Sequence, residues 1–408
     1  MSGALPYHRA WADVPAAQVE KLISESHRLG WRAALGDAAV GAPFFGARLE
    51  NLRLANWHML LAPSPRGAAL DVGCGFGTLP LGLASHFRTA VGAEMLPDRL
   101  RYATLRARQE PWPNAHFVRS HGARLPLADD TFDLVTMNGV LEWAAIYSEG
   151  EPRSLQVAML EEMRRVARAD GAVAVAIENR YALESLLALS DTHTGLTFVT
   201  AMPRKVANLV SRWRRREPYR VFLYSHGGYR ELFRDAGFED VTVLDLVSSY
   251  NDYDFVVRPG DAPSYRFLWE HRVVRSFYRP AGWTRRRLAR WKPALLGKLS
   301  YAYLVVGGRS ATTLLDERHP FWSAATSKGA NPGPARFASP GDRPGTVTIF
   351  THDGERILSL VELGPAYHGA SGDVRSAAPL ELAMPELRTR LSGSGEFNGI
   401  DYRVFVVE

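Results

Sequence analysis

Three glycines within five residues mark the most chemically suggestive stretch of the chain, Leu70-Asp71-Val72-Gly73-Cys74-Gly75-Phe76-Gly77-Thr78. A short apolar run leads into a glycine-rich turn, and a helical pattern follows it. Glycine admits positive φ and lets a ligand approach the backbone closely. The helix behind it offers free N–H groups and the positive end of its dipole. Glu94 closes the next apolar run, about 20 residues on, where a carboxylate accepts from both hydroxyls of a ribose. Loop and acid together describe a site for a nucleotide-like cofactor. A nicotinamide-dependent dehydrogenase uses the same two parts but spaces its glycines G-x-G-x-x-G, whereas Gly77 here is followed by Thr78-Leu79-Pro80. Cys74 reads as a small filler of the turn.

The elements that must hold this site alternate along the middle of the chain. Apolar runs at Ala68–Val72, Thr89–Glu94, His116–Arg119, Leu134–Met137, Ala172–Ile177, Val241–Val247 and Phe255–Val257 have the length and β-branched content of strands. Thr78–His86, Pro97–Gln109, Ser154–Arg168 and Gly228–Ala236 read as helices between them. The alternation predicts an α/β fold with parallel crossovers. Residues 1–66 are expected to form a helical cap, with helices over Gln18–Gly36 and Leu52–Leu61. Residues 67–258 form the cofactor-binding domain, with an insertion or lid at 180–226. Residues 259–308 read as a basic, aromatic connector and 309–408 as an accessory α+β region. The tail contains a Gly/Pro-rich turn region, Gly329–Gly345, and a hairpin pairing Thr346–Phe350 with Arg356–Val361. It shows no complete phosphate-binding or catalytic loop, so no kinase activity is assigned.

Asp71-Val72-Gly73-Cys74-Gly75-x-Gly77 resembles motif I of class I S-adenosylmethionine-dependent methyltransferases, and the resemblance covers roughly residues 67–258. It implies a Rossmann-like, seven-stranded mixed sheet and S-adenosylmethionine as cofactor. Asp71 would hold the methionine end, partly through water. Gly73, Gly75 and Gly77 would line the methionine and ribose portion, Glu94 would bind the ribose hydroxyls, and Met95 would pack beside the adenine. Asn138, at the end of the fourth run, joins this set. The family's third signature, Asp-Ala-x-x-Leu-Pro-Phe, reads here His121-Gly122-Ala123-Arg124-Leu125-Pro126-Leu127. The adenine-contacting Asp is replaced by His121 or Gly122, and a neutral imidazole would still accept from the adenine amino group.

In this architecture the acceptor lies beyond the ends of the fourth and fifth strands. Glu142, in Asn138-Gly139-Val140-Leu141-Glu142-Trp143, is the leading general base; a helix N-terminal carboxylate is the alternative. His193, in Asp191-Thr192-His193-Thr194-Gly195, is a second candidate base. Trp143 is either a stacking platform or core, and Glu178, Asn179, Arg180 and His226 complete a substrate-binding set. No compact His/Asp/Glu ligand cluster is visible, and no metal is expected. These segments, with Tyr224-Ser225-His226-Gly227-Gly228-Tyr229, resemble a subgroup of methyltransferases of bacterial surface-polysaccharide and lipopolysaccharide gene sets. That implies O-methylation of a sugar or glycan acceptor. A secondary metabolite or an RNA is the alternative acceptor, and a non-catalytic sensing or assembly module the alternative class.

Composition bounds these readings. The 408 residues are 46% hydrophobic and 23% charged, which excludes disorder and collagen-like repetition, and the one cysteine excludes an internal disulfide. The net charge of +6 is carried almost wholly by arginine, since Lys21, Lys205, Lys292, Lys298 and Lys328 are the only lysines. Two Arg/aromatic segments, Pro203–Arg216 and Trp283–Lys292, form amphipathic helices suited to an anionic membrane surface or to phosphate groups, or simply solvated faces. Nucleic acid is not expected as a partner. The first residues lack the apolar core of a signal peptide, and no run approaches the roughly 20 apolar residues of a spanning helix. A cytoplasmic protein, peripheral at the inner face of the membrane, is the expected setting.

Overall fold

The computed structural model describes residues 14–37, 43–61, 67–146, 148–251, 253, 255–258, 260, 262–270, 278–308, 321–323, 335–340, 347–352, 357–365, 389–397 and 400–407. Its spine is a mixed sheet. Strands β1 (Ala68–Val72), β2 (Thr89–Glu94), β3 (Ala115–Arg119), β4 (Phe132–Asn138) and β5 (Ala167–Glu178) pair in parallel in the order β3-β2-β1-β4-β5. Beyond β5 comes β8 (Ala302–Gly308), antiparallel, and then β6 (Asp240–Val247), antiparallel to β8. This is the seven-stranded class I methyltransferase arrangement. The expected domain end at residue 258 is corrected by it. The seventh strand, wedged between the fifth and sixth, comes from the segment read as a connector, while β7 (Phe255–Val257) pairs on the outer side of β6.

Helices clothe both faces of this sheet. Alternation along the strands sends Ala172, Ala174 and Ala176 of β5 to one cluster and Val173, Val175 and Ile177 to the other. The alanine face accommodates a 3-10 helix, Leu52–Leu60, and α4 (Thr78–Ala84). Gly82 makes the contact possible, since a Cβ there would stand 2.3 Å from the Leu52 carbonyl oxygen. The opposite face is covered by α6 (Pro152–Val166) and α9 (His226–Asp235). Pro152 opens α6 and the Glu151 side chain accepts from the Ser154 N–H at 2.8 Å, which satisfies one orphan donor of the first turn.

The cap holds on to α5 (Pro97–Gln109). Helices α1 (Ala16–Leu29) and α2 (Trp31–Asp37) pack Leu22, Trp31 and Ala34 against Tyr102, Leu105 and Phe76, and α3 (Pro43–Glu50) adds Leu49. Buried Arg106 of α5 donates to the carbonyls of Phe76 and Leu49 at 2.6 Å each, tying the cap to the glycine loop. On the far side the insertion folds as short α7 (Leu183–Leu186) and α8 (Arg204–Arg215). Arg285 of α10 (Arg279–Trp291) forms a buried bidentate ion pair with Glu184, so the segment after β7 fastens the insertion.

The described elements after Gly308 are strands; the rest of the region expected to be α+β lies outside the described residues. The strands are β9 (Phe321–Ser323), β10 (Ala335–Pro340), β11 (Val347–His352), β12 (Ile357–Pro365), β13 (Thr389–Phe397) and β14 (Ile400–Val407). They extend the sheet from β7 in the order β9-β10-β11-β12-β14-β13. The predicted hairpin is present as β11 and β12, antiparallel, with its Asp353 and Gly354 outside the described residues. Part of the expected Gly/Pro turn region is strand β10 instead.

Candidate active site

The loop after β1 folds as its glycines allow. Gly73, Gly75 and Gly77 have φ of 74°, 54° and 84°, a region that other residues enter only at a cost. Gly73 and Cys74 both donate to the Ala93 carbonyl, which locks the turn against the end of β2. The three glycines differ in what surrounds them. A Cβ on Gly73 would strike Val140 at 2.7 Å, and one on Gly77 would strike Ala103 at 2.9 Å, whereas one on Gly75 would meet nothing within 4 Å. Gly75 therefore faces the open cleft. Burial, then the charges of Asp71 and Glu94, push the Cys74 thiol well up, consistent with a filler and not a nucleophile.

Two carboxylates flank that opening. Glu94 accepts from the Gly75 N–H at 2.8 Å through one oxygen and from the Leu96 N–H at 2.9 Å through the other. Asp71, almost fully buried, accepts from the Thr136 hydroxyl at 2.7 Å. Burial raises its carboxyl to about 7, with the Thr136 hydrogen bond pulling it back and the Glu94 charge pushing it further. The cleft is lined by these acids, by Met95, Gly122 and Asn138, and by Arg48, Leu49 and Leu54 of the cap. Asn138 Oδ1 is buried with no hydrogen-bond partner. Two acids, an orphan amide oxygen and an open glycine suit a cofactor that carries positive charge and a ribose. S-adenosylmethionine suits this lining, which includes Asp71, Glu94, Asn138, Gly73, Gly75 and Met95; Gly77, expected among them, packs against Ala103 and Phe117 instead and is not part of the cleft wall.

His121 also lines the cleft, but not as expected. Its Nδ1 lies 3.3 Å from the Ala123 N–H and its Nε2 3.2 Å from the Ser148 hydroxyl. Both ring nitrogens are engaged, so neither is left to accept from an adenine amino group.

At the other end of the cleft stand Val140, Trp143, Tyr250 and Asn251. Tyr250 and Asn251, just beyond β6, were not singled out in the sequence; no periodicity marks them. Behind Trp143 the structure brings together four residues read separately, Glu142, Glu178, Asp191 and His193. The Trp143 and His193 rings lie 4.9 Å apart at 58°. His193 Nδ1 is 2.8 Å from Asp191 Oδ1 and 3.7 Å from Glu178 Oε2, and its Nε2 is 3.6 Å from Glu142 Oε1. All four residues are buried. The expectation of no compact ligand cluster is corrected here, since donor atoms of Glu178, Asp191 and His193 lie within 4.8 Å of one another.

The charges in this cluster depend on one another. Burial alone would pull the His193 imidazole down, but Glu178 and Asp191 raise it well above its usual value. Burial raises Glu178, with Glu142 and Asp191 adding to the rise against the pull of His193. Asp191 moves the other way: burial is outweighed by His193 and by hydrogen bonds from His193 and Thr194. Neither Glu142 nor His193 lines the cleft, and Trp143 is the wall they share with it.

The remaining predicted substrate residues have structural partners. Asn179 donates to the carbonyls of Lys298 and Ser300 at 3.0 and 2.8 Å. Arg180 donates to those of Thr200 and Met202 at 3.1 and 2.8 Å. These bonds tether the insertion. His226 opens α9 and sets its ring edge-on to Tyr303. None of the three reaches the cleft.

Comparison with known proteins agrees with this domain. A methyltransferase-domain family model matches residues 70–175, the stretch that holds the glycine loop, Glu94 and Asn138. Malonyl-[acyl-carrier protein] O-methyltransferase of Pseudescherichia vulneris is 32% identical over 107 residues, 26% of this chain and 37% of that protein. The chain thus matches little more than a third of that relative's length. Among solved structures, the complex of the Haloferax volcanii Trm112 methyltransferase activator with its methyltransferase is 18% identical. It covers 65% of this chain and 94% of its own, with a TM-score of 0.39. YcgJ from Bacillus subtilis is 14% identical over 64% of this chain and 99% of its own, with a TM-score of 0.35. Strand order, glycine loop and family model together define a class I S-adenosylmethionine-dependent methyltransferase domain.

Proposed function

We propose that the protein transfers the methyl group of S-adenosylmethionine to a hydroxyl of a sugar or glycan-type acceptor. The observation that carries this reading is the far end of the cleft, which is lined by the aromatic rings of Trp143 and Tyr250 beside the amide of Asn251. A polyhydroxylated ring needs that combination of stacking surface and hydrogen-bonding groups. The bound cofactor supplies an electrophilic methyl carbon on a sulfonium. The chain's residues orient the acceptor oxygen in line with it and take its proton.

Glu142 and His193 are the nearest titratable pair to the acceptor end; they lie behind Trp143, so either takes the acceptor proton through a displacement of that ring or through one relaying water. Neither Glu142 oxygen has a hydrogen-bond partner, and its nearest charged neighbour among the described residues is His193 Nε2 at 3.6 Å. Burial, then the charges of Glu178 and Glu142, push the Tyr250 phenol well up, so this cleft residue stays protonated and able to donate. Glu142→Gln keeps the shape and removes the base. It is expected to lower kcat at least ~100-fold while the cofactor Kd, read by calorimetry, stays near that of the parent. Full activity in the variant eliminates Glu142 as the base.

A separate observation supports peripheral contact with an anionic membrane surface. Among the described residues, the exposed large apolar side chains lie, Leu29 apart, between Tyr181 and Trp213 or between Trp283 and Leu295. Trp213 and Trp291 are 72% and 82% exposed, on helices that also carry Lys205, Arg212 and Arg214, or Arg286, Arg287 and Arg290. Interfacial helices combine tryptophan with basic residues in this way. No helix among the described residues is long and apolar enough to cross a membrane. Flotation with phosphatidylserine vesicles at low salt tests the contact: the chain should rise with the vesicles, and its absence from the lipid fraction sinks the idea.

A further inference from the structure

The sealed cluster behind Trp143 has more anionic groups than proton removal needs. Three carboxylates, from Glu142, Glu178 and Asp191, close on the single imidazole of His193. Among the described ion pairs no Lys or Arg reaches any of them. Their other partners are neutral: Glu178 accepts from the Thr192 and Tyr301 hydroxyls at 3.2 Å each and Asp191 accepts from the Thr194 hydroxyl, so the imidazole is the one cationic group these buried carboxylates share among the described ion pairs. The arrangement asks for a further cation.

The donor atoms suit one. In the metal-free chain Nδ1 of His193 hydrogen-bonds Asp191 Oδ1 at 2.8 Å and lies 3.7 Å from Glu178 Oε2; a cation seated there takes the place of that Nδ1 proton. Nitrogen and carboxylate ligands bind a divalent transition ion at about 2.0–2.2 Å, so donors sharing one ion stand roughly 3–4 Å apart. An independent feature points the same way. Glu142 is completely buried at its side chain, neither of its oxygens has a hydrogen-bond partner, and it faces Nε2, the nitrogen turned away from Asp191 and Glu178. A carboxylate on the far nitrogen is what fixes the tautomer of a metal-ligating histidine.

The geometry points to a divalent cation held by Glu178, Asp191 and Nδ1 of His193, with Glu142 accepting the Nε2 proton. One imidazole and two carboxylates without sulfur favour Mn2+ or Zn2+ over Ca2+, which takes oxygen ligands throughout. The site rests on these four residues and not on the acceptor reading.

Its test measures metal directly. The full chain, stripped with a chelator, is titrated by calorimetry with MnCl2 and with ZnCl2, and cofactor binding is measured on the same samples. One ion should bind per chain. His193→Gln and Asp191→Asn should abolish saturable binding, and Glu142→Gln should weaken it about 10–100-fold, all with cofactor binding retained. Pulsed electron paramagnetic resonance of the Mn2+-loaded parent should show coupling to one imidazole nitrogen, a readout that needs no variant to fold. No saturable binding by the parent, or binding without nitrogen coupling, overturns the site. Either result leaves the cofactor titration to judge methyl transfer separately.

Discussion

Glu94 and Glu142 belong to one sheet's carboxyl edge, at the ends of β2 and just past β4, yet they live under opposite conditions. Each oxygen of Glu94 accepts a backbone N–H beside an open cleft. Glu142 is walled in, and its oxygens accept from nothing. The difference separates two tasks. A carboxylate already oriented by the backbone can receive a ligand's hydroxyls with little rearrangement, which is what binding requires. A carboxylate left without donors has both oxygens open to an incoming proton or cation, which is what chemistry requires.

The contrast breaks most visibly at the cluster. His193→Ala removes the one partner shared by three buried carboxylates. In metal-free protein this is expected to cost about 3–5 kcal/mol, the range for leaving one side of a buried pair uncompensated, read by urea denaturation. A loss under about 1 kcal/mol would mean that water reaches these acids, and the distinction between sealed cluster and open cleft would collapse. The cleft should respond in the reverse sense. Glu94→Ala is expected to weaken S-adenosylmethionine about 10–100-fold, since a charged hydrogen bond contributes about 1.5–3 kcal/mol. Stability should change little, because the Gly75 and Leu96 N–H groups adjoin the cleft and can turn to solvent. Calorimetry and denaturation on the same variant separate the two effects.

Much of the cleft was legible because its logic is local. The run Ala68–Val72, the glycines and Glu94 lie within 27 residues, and the structure places the strands β1 and β2 where the apolar runs put them. Strands buried on both faces announce themselves as short continuous apolar runs. The cluster was legible only as parts. Glu142, Glu178 and His193 were each named, but their meeting depends on how the insertion is tethered by Asn179, Arg180 and the Arg285–Glu184 pair. Strand β8 failed for the same reason: Ala302–Gly308 is plainly apolar, yet its place between β5 and β6 comes from partners far away in sequence. His121 departs at a finer scale, because its Nδ1 accepts from the Ala123 N–H and its Nε2 is paired with the Ser148 hydroxyl, contacts that composition alone does not reveal.

The smallest expected effect sharpens the comparison most, because it asks whether the cleft acids are as settled as their hydrogen bonds suggest. Asp71 has a raised carboxyl, about 7 against an ordinary 3.8, chiefly through burial. Between those values the folded chain holds the proton more tightly than the unfolded chain, so the Asp71 contribution to the stability of the cofactor-free protein declines as pH rises across that window. A positively charged ligand favours the ionised form and lowers the bound-state value. Binding then releases a proton below about pH 7, and cofactor affinity should fall as pH drops, by up to about tenfold per unit. Asp71→Asn should bind more weakly at pH 7.5 and lose this dependence between pH 7 and 5.5. A parent whose affinity is flat across that range would show that Asp71 enters the complex already ionised, held so by Thr136, and would make the two acids of the cleft equivalent.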